Sequence, residues 1–209
     1  SESTRTATFT PGRDAARKEA SKLNVPRIGV RFRLPASMNQ VEYFGRGPAE
    51  NYLDRNAGSM VGLYKSTAEE LYFPYVRPQE NGHHTDTRWV SLSTGKKGLL
   101  IQADNTIGFN ALRNSIEDFD DEEATGLSRQ WSNFTPEQVA NHDEAAAKNV
   151  LRRQHHINDI TPRDFVEVCV DLKQQGVAGY DSWGSRPEPA YTLPANREYN
   201  WGFTLIPLK

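Results

Sequence analysis

The chain has 209 residues and a formal net charge of −2, from 25 basic and 27 acidic side chains. This length suits one large domain or two small ones. The balanced charge provides no strong positive field for nucleic acid or for an anionic membrane. The single cysteine, Cys169, excludes an internal disulfide and a cysteine-based zinc site. No apolar run approaches the ~20 residues of a membrane-spanning helix, so we expect a soluble protein without nucleic-acid or membrane partners.

Most of the chain reads as short strands, because apolar and polar residues alternate over short runs. The clearest run is 27–34, where every second residue is apolar and one face is predicted to be buried. Further strands are predicted at 4–10, 40–44, 87–93, 98–103, 165–172 and 199–205. Cys169 lies inside one of these runs, so we expect it to be buried and inert. The pattern predicts an all-β sandwich of antiparallel strands.

Helical signals are few. The segment 13–23 suits either a helix or a charged surface loop. Thr135 followed by Pro136 is typical of a helix start, and it predicts a short helix through 139–150. The acidic segment 115–126 is interpreted as a solvated loop, since it lacks the ligand spacing of a calcium loop.

Two stretches in the first half of the chain are dense in unusual residues. In 45–55 (GRGPAENYLDR), two glycines and a proline force a tight loop. The polar side chains Asn51, Asp54 and Arg55 are expected to hydrogen-bond the backbone of that same loop. The second stretch, 72–82, is rich in aromatic residues and proline, which suits either stacking on a sugar or core packing.

Two later stretches raise the questions of metal binding and of ligand binding. His83 and His84 are adjacent, and neighbouring residues of a strand face opposite sides, so we predict no metal site there. Asp86 adds only a second ligand on the face of His84. The glycines of 176–184 predict an irregular loop, extending to about Pro189, that presents a partly exposed Trp183. No Gly-x-Ser-x-Gly nucleophile motif occurs, and spacing alone identifies no catalytic pair of carboxylates.

Four motifs in this order resemble the C-terminal domain of the long bacterial β-galactosidases of glycoside hydrolase family 2. They are GRGPAENYLDR at 45–55, YVRPQENG at 75–82, Thr87-Arg88, and DSW at 181–183. The resemblance runs from about Pro26 to the C-terminus. It implies a single domain over 1–209, N-terminally incomplete, with a poorly matched leader at 1–25 and an acidic insertion at 115–133. The implied fold is an antiparallel β-supersandwich, related to galactose mutarotase, with one or two short helices.

The resemblance also implies a function for the chain as part of a retaining β-galactosidase. The catalytic glutamates lie in a (β/α)₈ barrel upstream, so this chain holds no catalytic residue and is expected to be inactive alone. Trp183 is the implied substrate-binding platform, and Asp181 and Ser182 are expected to hold its loop. The Mg and Na ions that the family often uses belong to the barrel. The implied partners are the rest of the parent chain and a β-galactoside, in a homo-oligomeric parent from the cytoplasm or periplasm of a bacterium.

Two other functions are weighed against this one. A non-catalytic carbohydrate-binding module would use Trp183 together with Tyr72, Phe73 and Tyr75. A mutarotase-like enzyme would need an acid and a base that face one sugar. His83 or His84 with Glu80 is the candidate set for that chemistry.

Overall fold

The computed structural model describes residues 3–9, 23–119, 157–181 and 184–209, with the backbone alone for the first of these ranges. The described residues form eight strands, three short 3-10 turns and no α-helix. The strands are β1 (Ser3–Phe9), β2 (Arg27–Pro35), β3 (Gln40–Gly47), β4 (Met60–Thr67), β5 (His84–Ser93), β6 (Gly98–Leu112), β7 (Phe165–Gln174) and β8 (Tyr199–Leu208). The 3-10 turns span Ile116–Phe119, Ile157–Asp159 and Pro189–Tyr191. Within these ranges, no helix has the length and apolar character that crossing a membrane requires.

All strand pairs are antiparallel, and the main path through the sheet runs β1-β8-β6-β5-β3-β4. The long strand β6 connects two parts of this sheet. Its first residues, 98–103, pair with β8, whereas its last residues, 108–112, pair with β7. Strand β2 then pairs with β7. The first and last strands are also neighbours, since β1 pairs with β8 from Ser3 opposite Leu205 to Phe9 opposite Tyr199.

The predicted all-β, antiparallel fold class is confirmed, and each run with alternating polarity is a strand. The predicted hairpin of β5 and β6 is also present. Strand β4 was not predicted, because it is an edge strand whose exposed residues include Met60 and Leu63 and whose sequence shows no alternation. The helical predictions for 13–23 and 139–150 fall outside the described residues, apart from the exposed Leu23.

The core is built from the inward-facing positions of the central strands. Large side chains of β3, β5 and β6, including Tyr43, Leu92 and Phe109, are fully buried there. Strand β7 is buried on both faces, because every residue from Val166 to Val170 is buried. The predicted burial of Cys169 is confirmed, with 3% of its surface exposed.

The described residues form two compact units. The first contains all eight strands, and the second consists of the described residues of Pro74–Glu80 and Asn114–Pro162. In the second unit, the Asn114 side chain donates a hydrogen bond to the carbonyl oxygen of Thr161, and the Asp118 side chain accepts one from the amide of Ser115. The predicted insertion at 115–133 begins here as a 3-10 turn, and its residues beyond 119 lie outside the description.

Candidate functional site

The tight loop that follows β3 is built around one buried amide side chain. Asn51 is fully buried, and its Nδ2 donates hydrogen bonds to the carbonyl oxygens of Arg46 and Ala49, both at 3.1 Å. Its Oδ1 accepts from the amide of Thr85 at 2.9 Å and from the Thr85 hydroxyl at 2.6 Å. The predicted bonding of Asn51 to its own loop is therefore confirmed, and the same side chain also connects this loop to β5.

The next residues form a rigid turn that connects the first motif to the second. Two backbone hydrogen bonds, at 3.2 and 2.8 Å, join Tyr52 and Arg55, and Tyr52 is buried. Arg55 forms an ion pair with Glu50 at 2.7 Å, and its predicted bonding to the backbone of this loop stays a prediction. The other oxygen of Glu50 accepts a hydrogen bond from the amide of Gly82 at 2.6 Å. A single carboxylate thus joins 45–55 to the end of 75–82.

Asp54 connects this turn to the loop that leads into the fourth motif. Its Oδ1 accepts from the amide of Val177 at 3.1 Å, and its Oδ2 accepts from the amide of Ala178 at 2.7 Å. Asp54 was predicted to bond the backbone of its own loop, and this prediction was wrong. Its carboxylate instead accepts hydrogen bonds from a loop more than 120 residues further along the chain. Spacing along the sequence carries no signal for such a contact.

The loop after β7 is irregular, as predicted, over its described residues. Ala178, Gly179 and Gly184 have positive φ angles, which turn the chain sharply. Asp181 accepts a hydrogen bond from the amide of Ser185 at 3.3 Å, which closes part of the loop. Ser182 and Trp183 lie outside the described residues, so their predicted roles stay predictions.

The two adjacent histidines are buried in the structure. His83 is 2% exposed, its ring stacks on Tyr52, and its Nδ1 lies 2.8 Å from Oδ1 of Asn110. Burial lowers the pKa of His83 to about 3, and the neighbouring Arg27 acts in the same direction. Burial also lowers the pKa of His84. Both rings are therefore neutral near pH 7, so neither is a suitable acid for a mutarotase-like reaction.

His83 borders a buried charge network that the sequence reading missed. Asp171 is 1% exposed and accepts a hydrogen bond from Nε of Arg27 at 2.9 Å. Arg27 also donates to Oδ1 of Asn110, whose Nδ2 donates to the carbonyl oxygen of Asn81 at 2.7 Å. A sequence signal for this network existed: carboxylates at two positions of the apolar run 165–172, with an arginine-rich strand as its partner.

The glycine at position 29 makes room for this network. A side-chain Cβ there would lie 2.0 Å from Oδ1 of Asp171, well inside contact distance. Gly29 stands directly opposite Asp171 in the pairing of β2 and β7. The PRIG segment at 26–29 thus supplies both the charge partner of Asp171 and the space for its carboxylate.

This all-β domain, in which side-chain carboxylates join separate sequence motifs, matches a known family. The sequence profile described as "Beta galactosidase small chain" matches residues 4–205. The chain belongs to this β-galactosidase small-chain family.

Named relatives agree with that assignment. The chain is 35% identical over 185 residues to a β-galactosidase of Priestia megaterium. The aligned region covers 88% of this chain and 15% of the relative. It is 40% identical over 111 residues to a β-galactosidase of Arthrobacter sp., over 50% of this chain and 11% of the relative. A Vibrio cholerae β-galactosidase is 29% identical over 181 residues, or 87% of this chain and 14% of the relative. The chain therefore spans about 15% or less of the length of these relatives.

Proposed function

We propose that this chain is the C-terminal domain of a retaining β-galactosidase and that it supports an active site located in an upstream barrel. The main support is the way in which the motifs meet. Glu50 joins the first motif to the second, and Asp54 joins the first to the loop that carries Trp183. These contacts fix a loop against a rigid turn, which is what a binding platform on an irregular loop requires.

In this proposal the chain contributes substrate positioning, whereas the chemistry belongs to two carboxylates of the barrel. In a retaining glycosidase, one carboxyl group acts as acid and base while the other forms the glycosyl intermediate. The Trp183 indole would stack on the apolar C–H face of the sugar, with its N–H free to donate a hydrogen bond. We assign the Mg and Na ions to the barrel. In the described part of this chain, no three His, Cys, Asp or Glu side chains group together as an ion site.

The Trp183→Ala variant of the full-length parent enzyme tests the platform. Losing the stacking area of one large side chain costs about 1–3 kcal/mol, so substrate binding should weaken about tenfold or more. The measurement is the steady-state KM and kcat with a chromogenic β-galactoside. A matched variant at another tryptophan, Trp89→Phe on β5, should leave KM nearly unchanged. Unchanged kinetics for Trp183→Ala would contradict the platform role.

The isolated 209-residue chain is expected to hydrolyse no β-galactoside, because neither carboxylate of the catalytic pair belongs to it. The measurement is product release from a chromogenic β-galactoside by pure chain, from an expression host that lacks its own β-galactosidase. Turnover above the buffer blank that persists through every purification step would contradict this expectation.

A carbohydrate-binding module is the second candidate, and exposed aromatic side chains favour it. Phe73 is 47% exposed and Tyr180 is 57% exposed, whereas Tyr72 and Tyr75 are half-buried. Exposed rings suit stacking on sugars without any barrel. Calorimetric titration of the isolated chain with galactose and lactose distinguishes the candidates, since only a binding module should bind either sugar by itself.

A further inference from the structure

We propose that Asp54 is the positioning residue for the loop that carries Trp183. Its carboxylate fixes the start of that loop on the turn that follows β3. This inference rests on the proposed function of Trp183, but the contact that carries it lies entirely within the described residues.

The carboxylate is held by two successive backbone amides. Val177 donates to Oδ1 at 3.1 Å and Ala178 donates to Oδ2 at 2.7 Å, so each oxygen accepts one hydrogen bond from a backbone amide. The hydroxyl of Tyr180 lies 3.5 Å from Oδ2. Ala178 has a φ of 55°, a left-handed conformation that non-glycine residues adopt uncommonly. Successive amides near such a residue form a concave site for an anion, and here the anion is the Asp54 carboxylate.

The turn that carries Asp54 is itself immobilised. It is closed by the two backbone hydrogen bonds between Tyr52 and Arg55, and Tyr52 is 1% exposed. The Glu50 carboxylate binds both Arg55 and the amide of Gly82. Because this turn is held in place, the Asp54 carboxylate that it carries has a fixed position. The loop amides that bind this carboxylate are therefore held in place as well.

Close packing at Gly176 makes the contact specific. A Cβ at this position would lie 2.4 Å from Oδ2 of Asp54. The amide of Gly176 also donates a hydrogen bond to the carbonyl oxygen of Tyr191 at 2.8 Å, so the glycine cannot move away without losing that bond. The Asp54 carboxylate therefore occupies the space that a side chain at position 176 would need. A larger residue at position 176 should displace this carboxylate.

The first test is a double-mutant cycle in the full-length β-galactosidase, with Asp54→Asn, Trp183→Ala and the pair together. The asparagine loses the negative charge and places an N–H donor against one of the two backbone amides. If Asp54 acts through Trp183, Asp54→Asn should raise KM about tenfold with a smaller change in kcat, the scale of a lost charge-assisted hydrogen bond. The double variant should then match Trp183→Ala, because coupled residues are not additive. Wild-type kinetics for Asp54→Asn, or effects that multiply in the double variant, would overturn the proposal.

Hydrogen exchange separates this proposal from the function on which it rests. Mass spectrometry of peptides that span 174–180 should show faster amide exchange in Asp54→Asn than in the wild type. Asp104→Asn, which changes an exposed aspartate on β6, should leave the exchange and the kinetics unchanged. If Trp183→Ala has no kinetic effect, the platform function fails, and exchange alone decides whether Asp54 holds the loop. Unchanged exchange in Asp54→Asn overturns that role as well.

The reciprocal change at Gly176 gives an independent test in the same enzyme. Gly176→Ala should raise KM to a similar extent as Asp54→Asn, because its methyl group displaces the carboxylate. In an Asp54→Ala background the space is free, so adding Gly176→Ala should change KM less than about twofold. A Gly176→Ala enzyme with wild-type KM, or an equal effect in both backgrounds, counts against the close fit and against the proposal.

Discussion

Replacing Asp171 with alanine is expected to lower the free energy of unfolding of the 209-residue chain by about 3–5 kcal/mol, the usual cost of breaking a buried ion pair. The change leaves the Arg27 guanidinium without the carboxylate that it binds at 2.9 Å. Arg27 is only 18% exposed, so water replaces that partner poorly. Urea unfolding followed by tryptophan fluorescence measures the loss, with an unchanged m-value as the sign that only stability has changed.

An exposed pair in the same sheet serves as the matched control. Glu42 on β3 stands opposite Lys65 on β4, and their charged atoms are 3.5 Å apart at the surface. Because solvent screens such a pair, Glu42→Ala should cost less than about 1 kcal/mol. Equal losses for Asp171→Ala and Glu42→Ala would mean that burial adds nothing to the Arg27–Asp171 pair.

The chain is also expected to lose stability as the pH falls below about 6.5, through His83. The unfolded chain protonates this histidine near its ordinary pKa of about 6.5, whereas the folded chain does not until about pH 3. Between these values the unfolded state binds one more proton, so each pH unit costs about 1.4 kcal/mol. The stability that the neutral His83 contributes is fully present well above pH 6.5. On the order of 2–3 kcal/mol of the free energy of unfolding is lost by pH 4.5.

The titratable groups around His83 do not reverse this direction. Asp171 lies 3.8 Å from Nδ1 of His83, but its charge already pairs with the closer Arg27 at 2.9 Å. His84 has a pKa lowered by burial, so it adds to the loss in the same sense. Glu69, whose pKa is also lowered, adds a further loss only as the pH falls below its ordinary value of 4.5.

A variant without the titrating ring checks the assignment. His83→Asn keeps an N–H donor for Asn110 and removes the titrating ring. Between about pH 4.5 and 6.5, the slope of its unfolding free energy against pH should be smaller than that of the wild type by about 1.4 kcal/mol per pH unit, which corresponds to one proton. Urea midpoints across this range measure the slope. If the wild type and the variant have the same slope, His83 is not the group responsible.

The sequence predicted the parts of the fold that are local. An alternation of polarity needs only a few residues, so strands such as β2 and β7 were recognisable, and the apolar surroundings of Cys169 predicted its burial. Strand β4 was missed because its partner and its edge position depend on the whole sheet. The Arg27–Asp171 network and the reach of Asp54 to Val177 were missed for the same reason, since each joins residues more than 120 positions apart.

The pairing of β1 with β8 has a consequence for the order of events during synthesis. Phe9 and Tyr199 are neighbours in the sheet, although about 190 positions separate them along the chain. At about 5–20 residues per second, β1 leaves the ribosome roughly 10–40 seconds before its partner is made. Until then, β1 and the first half of β6 both expose unpaired backbone groups, which other chains can bind. A nascent chain that stops before Tyr199 therefore exposes the two strand edges that β8 covers in the finished sheet, and its demand for chaperones should exceed that of the finished chain.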